Sequence, residues 1–137
     1  MNPQTVTTGW KPPDEGWIKV NVDGAQNNID RVSTCGGVLC SHQGTWITGF
    51  TKFIGRCSVL EAELWGIFIG LEVAWSMECQ HLVVDSDSAD ALKAINQGIC
   101  RNGQIALLSY IKGLCNRDWN VSFVQIVRRN NEVADRL

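Results

Sequence analysis

The sequence lacks long hydrophobic runs, an excess of basic residues and any close pair of cysteines. No apolar run approaches the roughly 20 residues of a membrane span, and the N-terminus has no basic-then-apolar signal pattern. The 12 basic residues do not outnumber the 14 acidic ones, so the composition does not indicate nucleic-acid binding, although a local basic patch can be enough for such binding. These absences favour a soluble intracellular protein, cytoplasmic or nuclear, that has no contact with membranes.

The six cysteines form no CxxC pair and have no histidine partner at the spacing of a zinc site. Several lie in apolar runs, as Cys40 does in the sequence GVLC. We therefore expect reduced thiols in the core of an intracellular protein, and not a disulfide framework.

Hydrophobic periodicity divides the 137 residues into a polar tail and one α/β domain. Residues 1–16 contain all three prolines and predict a tail or linker, and the domain is expected to span residues 17–137. The predicted order is β-β-β-α-β-α-α-β-α, with strands at 18–25, 32–41, 45–52, 81–87 and 119–127 and helices at 60–75, 88–97, 104–115 and from about 130. This order predicts a mixed five-stranded sheet, three antiparallel strands and then two parallel ones, flanked by helices. The last helix stops after barely two turns, so we expect it to be truncated and the chain to belong to a longer polypeptide.

The first predicted strand, in the sequence IKVNVDGA, ends on a carboxylate. Apolar and polar residues alternate over its first six positions, which is typical of a β-strand. Gly24 and Ala25 add little bulk after Asp23, so a ligand has room to approach the backbone. Because Asp-Gly is a common turn dipeptide, an ordinary strand leading into a turn is the alternative interpretation.

A second carboxylate, Glu63, lies at the margin of the apolar stripe on the predicted helix 60–75. It shares a helical row with Ile67, Gly70 and Ala74, and the small members of this row would let the helix lie close to a sheet. A carboxylate in that position is costly unless something pairs with it, whereas a solvated flanking glutamate is the simpler alternative.

Two further carboxylates are expected near the same edge of the sheet. Asp87 ends the predicted strand 81–87, and a parallel crossover would place that strand beside the first one, with Asp23 and Asp87 together at the carboxyl edge. Glu63 and Asp135, which lies on the last predicted helix, could point at this edge too. Four adjacent carboxylates stay ionised only if a cation compensates them, and hard oxygen ligands select Mg²⁺ or Mn²⁺. Two such ions would suit in-line attack on a phosphodiester.

Four blocks of the sequence resemble the ribonuclease H domains, most closely the plant ribonuclease H-like type related to retrotransposon reverse transcriptases. The blocks are WKPPDEGWIKVNVDGA, LEAELWGIFIGLEVA, LVVDSDSADAL and NNEVADRL, and they follow the family's order and spacing from Trp10 to the last residue. The resemblance implies a ribonuclease H-like fold and a metal-dependent endonuclease that cuts the RNA strand of RNA–DNA hybrids. It also implies two Mg²⁺ or Mn²⁺ ions and a nucleic-acid partner. We further expect a monomer within a larger polypeptide.

The resemblance assigns the metal ligands and catalytic residues to Asp23, Glu63, Asp87 and Asp135. The tripeptides AEL and SDS select Glu63 and Asp87 over the nearby acids Glu61 and Asp85. Gly24, Ala25 and Gln125 are the implied substrate-binding residues.

Two departures from the family pattern affect the expected activity. Gln125 stands where the family usually has a histidine that assists proton transfer, and glutamine cannot titrate. Because general acid–base help is typically worth about 10²–10⁴-fold, a slow enzyme is expected. The connection between the middle helices also lacks a basic, Trp-rich handle, since Arg101, Lys112 and Arg117 are scattered.

Three alternatives stand beside the endonuclease hypothesis. A catalytically weak or inactive nucleic-acid-binding module would fit Gln125 and the net charge of −2. A 3′–5′ exonuclease of the same broad fold usually carries DxE on the first strand, whereas this chain has Asp23-Gly24-Ala25. A soluble α/β domain with coincidental acids is the remaining alternative.

Overall fold

The structure, a computed structural model, describes residues 5–7, 11–98 and 104–127. Its elements in chain order are β1 (Thr5–Thr7), β2 (Ile18–Gln26), β3 (Val32–Cys40), β4 (Trp46–Arg56), α1 (Val59–Ser76), β5 (His81–Ser86), α2 (Ala89–Gln97), α3 (Ile105–Cys115) and β6 (Asn120–Ile126). The predicted last helix, with Asp135, lies outside the described residues. None of the described helices is long and apolar enough to cross a membrane.

One mixed sheet with β2 near its centre organises the domain. The strand order is β1-β6-β5-β2-β3-β4, in which β3 and β4 pair antiparallel and β5 and β6 pair parallel. The predicted five-stranded mixed sheet is thereby confirmed, and β1 adds a short sixth strand parallel to β6. Since β1 has only three residues, it shows no period-two pattern, and it forms inside the segment predicted as a tail because β6 offers an edge.

The core lies between one face of the sheet and the helices. Val20 and Val22 of β2 face α1, where the small residue Gly70 would bring an added Cβ to 3.2 Å from Val22. The fully buried side chains of this layer include Val20, Val22, Leu39, Leu64, Ile67, Leu71, Leu82, Leu92, Ile95 and Ile111. The predicted amphipathic stripe of α1 thus faces the sheet, and it lets the helix pack closely on β2.

The capping residues explain where α2 begins and ends. The Ser88 hydroxyl accepts a hydrogen bond from the Ala91 N–H at 3.1 Å, and Gly98 ends the helix in a left-handed conformation with φ of 68°. The hydroxyl of Ser86, the last residue of β5, accepts a hydrogen bond from the N–H of Ser88 at 3.1 Å.

The five cysteines within the described residues are free thiols, as expected for a reduced core. Three of them, Cys35, Cys40 and Cys79, are buried. Burial raises the pKa of Cys35 and of Cys115 to about 11, so both remain protonated at neutral pH.

Candidate functional site

Three carboxylates from separate elements meet at the carboxyl edge of β2 and β5. One oxygen each of Asp23, Glu63 and Asp87 lies within 4.8 Å of the other two. Asp23 and Glu63 are 5% and 4% exposed, and Asp87 is half-buried. The structure therefore brings together three of the four acids assigned from the sequence, and Asp135 remains a prediction outside the described residues.

The parallel pairing of β2 and β5 places the two aspartates side by side. Val22 and Ser86 are register partners, so Asp23 of β2 lies beside Asp87, which directly follows the last residue of β5. Side chains at matching positions of neighbouring strands project from the same face of a sheet. The topology alone therefore sets these two carboxylates next to each other.

Gly24 explains how α1 comes close enough to β2 to place the Glu63 carboxylate beside that of Asp23. A Cβ added to Gly24 would stand 2.6 Å from the carbonyl carbon of Ala62 and 2.6 Å from the nitrogen of Glu63. The backbone of α1 therefore occupies the space that the missing side chain leaves. The sequence predicts room for a ligand at this position, whereas α1 fills it, and the following Ala25 is exposed.

The neighbouring acids Glu61 and Asp85 have structural partners of their own. Glu61 interacts with Ser58 at the N-terminus of α1: the Ser58 hydroxyl accepts a hydrogen bond from the Glu61 N–H at 3.1 Å and donates one to the Glu61 carboxylate at 3.3 Å. Asp85 pairs with Lys19, with 3.2 Å between Oδ2 and Nζ. Burial raises the pKa of Asp85 to about 6, and the nearby Lys19 ammonium lowers this pKa by less than burial raises it.

A buried polar cluster of Lys19, Asn21 and Asp85 lies beside the three carboxylates, and the sequence analysis did not find it. Asn21 is the register partner of Asp85 and is 1% exposed, and neither of its amide atoms has a hydrogen-bond partner in the part of the chain that the structure describes. The Lys19 ammonium also donates to the carbonyl of Lys11 at 2.6 Å. Alternation along β2 predicts that Lys19 and Asn21 face water, whereas the structure buries both side chains, at 9% and 1% exposure.

Gln125 lies on the strand next to β5. It is half-buried and pairs in register with Ser86, the residue immediately before Asp87. Gln125, which the sequence resemblance sets at the position of a histidine, therefore belongs to the strand beside the one that Asp87 follows. An amide there can donate and accept hydrogen bonds, but it cannot carry a proton through a reaction.

The donor set fits a hard divalent cation. Three carboxylates supply only oxygen ligands, which Mg²⁺, Mn²⁺ and Ca²⁺ prefer, and no histidine or cysteine of the described residues joins the cluster. The burial of two of the three groups adds a reason for a cation, since adjacent buried carboxylates repel each other unless a positive charge compensates them.

Comparisons with known proteins agree with this geometry. Residues 21–137 match the family model described as reverse transcriptase-like. A protein of Arabidopsis thaliana named as a ribonuclease H protein is 37% identical over 130 residues. That match covers 94% of this chain but 21% of the Arabidopsis protein, so the chain spans about a fifth of its relative.

Solved structures of ribonucleases H share the fold. The RNase H1 of the halophilic archaeon Halobacterium salinarum superposes with a TM-score of 0.78 at 22% identity, over 88% of this chain and 93% of that one. LC11-RNase H1 in complex with an RNA/DNA hybrid gives a TM-score of 0.80 at 19% identity, over 88% and 92%. At these identities the likeness concerns the arrangement of strands and helices, which is the ribonuclease H fold.

Proposed function

This chain belongs to the reverse transcriptase-like family, and we propose that it is a metal-dependent endonuclease that hydrolyses the RNA strand of RNA–DNA hybrids. The observation that carries the proposal is the cluster of Asp23, Glu63 and Asp87, with oxygens within 4.8 Å of one another at the carboxyl edge of the sheet. The ribonuclease H relative at 37% identity supports the same reaction class.

The three carboxylates would hold the cations, and Asp135 is proposed as a fourth ligand. Two Mg²⁺ or Mn²⁺ ions bound there would supply an activated water and would stabilise charge on the leaving oxygen. Asp23 and Glu63 are suited to fixed coordination, because each is buried on a rigid element and α1 rests directly on the backbone of Gly24.

Gln125 and the end of β2 are proposed to contact the substrate. Ala25 is exposed one residue beyond Gly24, where a backbone of little bulk can approach a sugar–phosphate chain. Such an enzyme would distinguish RNA from DNA by the shape of the hybrid and by the ribose 2′-hydroxyl. Without a titratable side chain at position 125, we expect turnover to be slow.

Cleavage of a labelled RNA–DNA hybrid with Mg²⁺, with Mn²⁺ and with a chelator tests the proposal. We expect metal-dependent cutting confined to the RNA strand, and its loss in Asp23→Asn and Asp87→Asn with the circular dichroism spectrum unchanged. Asp118→Asn is the matched control and should cut normally, because Asp118 is exposed and precedes β6, whose first residue pairs with His81 at the opposite end of β5 from Asp87. Metal-dependent cutting that survives in Asp23→Asn overturns the assignment.

A nucleic-acid-binding module without turnover is the second candidate, and Gln125 is the observation that favours it. Such a module would bind the hybrid with an affinity that falls as salt rises, while neither Mg²⁺ nor Mn²⁺ would produce cutting. In either case we propose that the domain is a monomer. We also propose that it works within a larger polypeptide, because the match covers 21% of the Arabidopsis protein.

A further inference from the structure

A row of aromatic rings crosses the outer side of α1 towards α3. The ring centroids of Trp65 and Phe68 are 5.7 Å apart, and those of Phe68 and Tyr110 are 6.1 Å apart. Trp75 follows at the far end of the helix, where Trp119 packs edge-on against it at 5.2 Å. We call Trp65, Phe68, Tyr110 and Trp75 the aromatic band, and between its two ends it spans about 15 Å of helix.

The aromatic band is accessible and encloses a groove. Tyr110 is 62% exposed, and Trp65, Phe68 and Trp75 are half-buried. A groove of about 420 Å³ between α1 and α3 is lined by three band members, together with Glu72, Ser109, Gly113, Leu114 and Arg117. Aromatic residues at helical spacing usually belong to a core, but here they lie on the side of α1 that faces away from the sheet.

A cation stands at each end of the band. The Lys52 ammonium lies 5.8 Å from the ring centroid of Trp65, and the Arg117 guanidinium lies 5.1 Å from the ring centroid of Trp75. Both cations are on exposed residues, so their charges are available to an anionic ligand. Flat apolar rings between two positive charges match a ligand that alternates planar bases with phosphates.

The Lys52 end of the band is close to the three carboxylates. Lys52 is the register partner of Cys35, and Cys35 is the register partner of Gly24, which follows Asp23. Two strand spacings, about 10 Å, therefore separate the backbone of Lys52 from that of Gly24. A nucleic-acid strand that passes from the three carboxylates across β3 and β4 would therefore reach the aromatic band at its Lys52 end.

We propose that the aromatic band binds an unpaired nucleic-acid strand that continues from the hybrid, which rests on the proposed function. A base-paired duplex keeps its base faces stacked inside, so exposed rings gain most from unpaired nucleotides. Tyr110 supplies the most exposed stacking surface, and Lys52 and Arg117 bind phosphates. The negative charge of Glu72 in the groove repels phosphates, so the phosphates of the bound strand would contact the protein only at the two ends of the band.

Fluorescence polarisation with the full chain in chelator tests this surface without cleavage. The probes are a blunt RNA–DNA hybrid and the same hybrid with a single-stranded DNA or RNA extension at either end. We expect at least one extension to tighten binding. Tyr110→Ala should weaken binding of that extended probe by about 5- to 150-fold, the effect of one lost base stack. Phe53→Ala is the matched control, because Phe53 is 68% exposed on the neighbouring β4 but lies outside the band.

Charge variants at one end of the band and in the groove should change the affinity for the extended probe in opposite directions. Lys52→Gln should weaken binding of the extended probe and reduce its salt slope by about 0.7, the value for one contact with a single strand. Glu72→Gln should strengthen binding of the same probe. Equal affinity for blunt and extended probes, or an effect of Phe53→Ala as large as that of Tyr110→Ala, overturns the proposal.

The two proposals fail in different ways. A chain that cuts the blunt hybrid but gains nothing from any extension refutes the band and leaves the nuclease in place. A chain that binds extended probes through Tyr110 but cuts no hybrid with any metal supports the band and refutes the nuclease. Tyr110→Ala should leave the metal-dependent cutting of a blunt hybrid unchanged.

Discussion

The backbone nitrogen of Glu63 lies 2.6 Å from the point where a Cβ on Gly24 would stand. A Cβ does not come this close to a backbone nitrogen to which it is not bonded, so the crossing of α1 over β2 depends on glycine at this position. The same crossing holds the Glu63 carboxylate near that of Asp23. Gly24, which the sequence suggests as a place for a ligand to approach, is therefore a packing residue that lets α1 bring Glu63 close to Asp23.

Gly24→Ala should move α1 away from β2. We expect it to lower the free energy of unfolding by about 1–3 kcal/mol, the usual cost of overpacking against a rigid backbone. Because the shift separates Glu63 from Asp23, the affinity for Mn²⁺ should fall as well. Urea denaturation measures the first effect, and a calorimetric titration with Mn²⁺ measures the second.

Gly113→Ala is the control for this substitution. Gly113 lies within α3, and an added Cβ would meet no atom within 4 Å. Because alanine is the better helix former, this variant should have a free energy of unfolding about 0.5–1 kcal/mol higher than the parent and should bind Mn²⁺ normally. A Gly24→Ala variant as stable as the parent, with unchanged Mn²⁺ affinity, would contradict the packing role.

Local patterns were sufficient to predict most of the fold. Alternation along β2, the apolar stripe of α1 and the predicted end of α2 at residue 97 each depend on neighbours in the sequence, and the structure confirms them. The order of elements then placed Asp23 and Asp87 on adjacent parallel strands, because a crossover through a helix constrains the pairing.

The features that sequence analysis missed depend on contacts between distant segments. β1 is too short to show a period and exists through its pairing with β6. Lys19 and Asp85 are polar residues of ordinary appearance, and only the pairing of β2 with β5 makes them a buried ion pair. For the same reason, the packing role of Gly24 is visible only once α1 lies over β2.

Removal of one partner of the Lys19–Asp85 ion pair should cost more than removal of both. Lys19→Met leaves a carboxylate with 2% side-chain exposure without its cation, and we expect a loss of about 3–5 kcal/mol in the free energy of unfolding. The double variant Lys19→Met/Asp85→Leu removes both charges and should recover most of that loss. Urea denaturation of the two single variants and the double variant forms a double-mutant cycle. Strictly additive losses would show that the two side chains do not interact.

The described thiols should differ in their reactivity towards iodoacetamide. Burial raises the pKa of Cys35 and Cys115 to about 11, so at pH 8 only about one of these thiols in a thousand is the reactive thiolate. Because the thiolate fraction grows with pH, their alkylation should accelerate about tenfold per pH unit up to about pH 11. Cys57, which is half-buried, should react first.

Peptide mass spectrometry after timed alkylation at pH 8 measures these rates. In denaturant the five described cysteines should react at similar rates, which is the control for intrinsic reactivity. Rapid alkylation of the buried Cys35 in the folded protein would contradict the structure.

Divalent cations should stabilise the folded domain through the carboxylate cluster. A ligand that binds only the folded state adds about 2.7 kcal/mol at a concentration of 100 Kd, so Mg²⁺ or Mn²⁺ should raise the Tm, and a chelator should reverse the rise. Asp87→Asn removes one of the three oxygen ligands and should abolish most of the shift, whereas Asp118→Asn should retain it. Sodium chloride at matched ionic strength separates specific binding from screening. An equal shift in Asp87→Asn, or with sodium alone, would mean that the three carboxylates do not form a cation site.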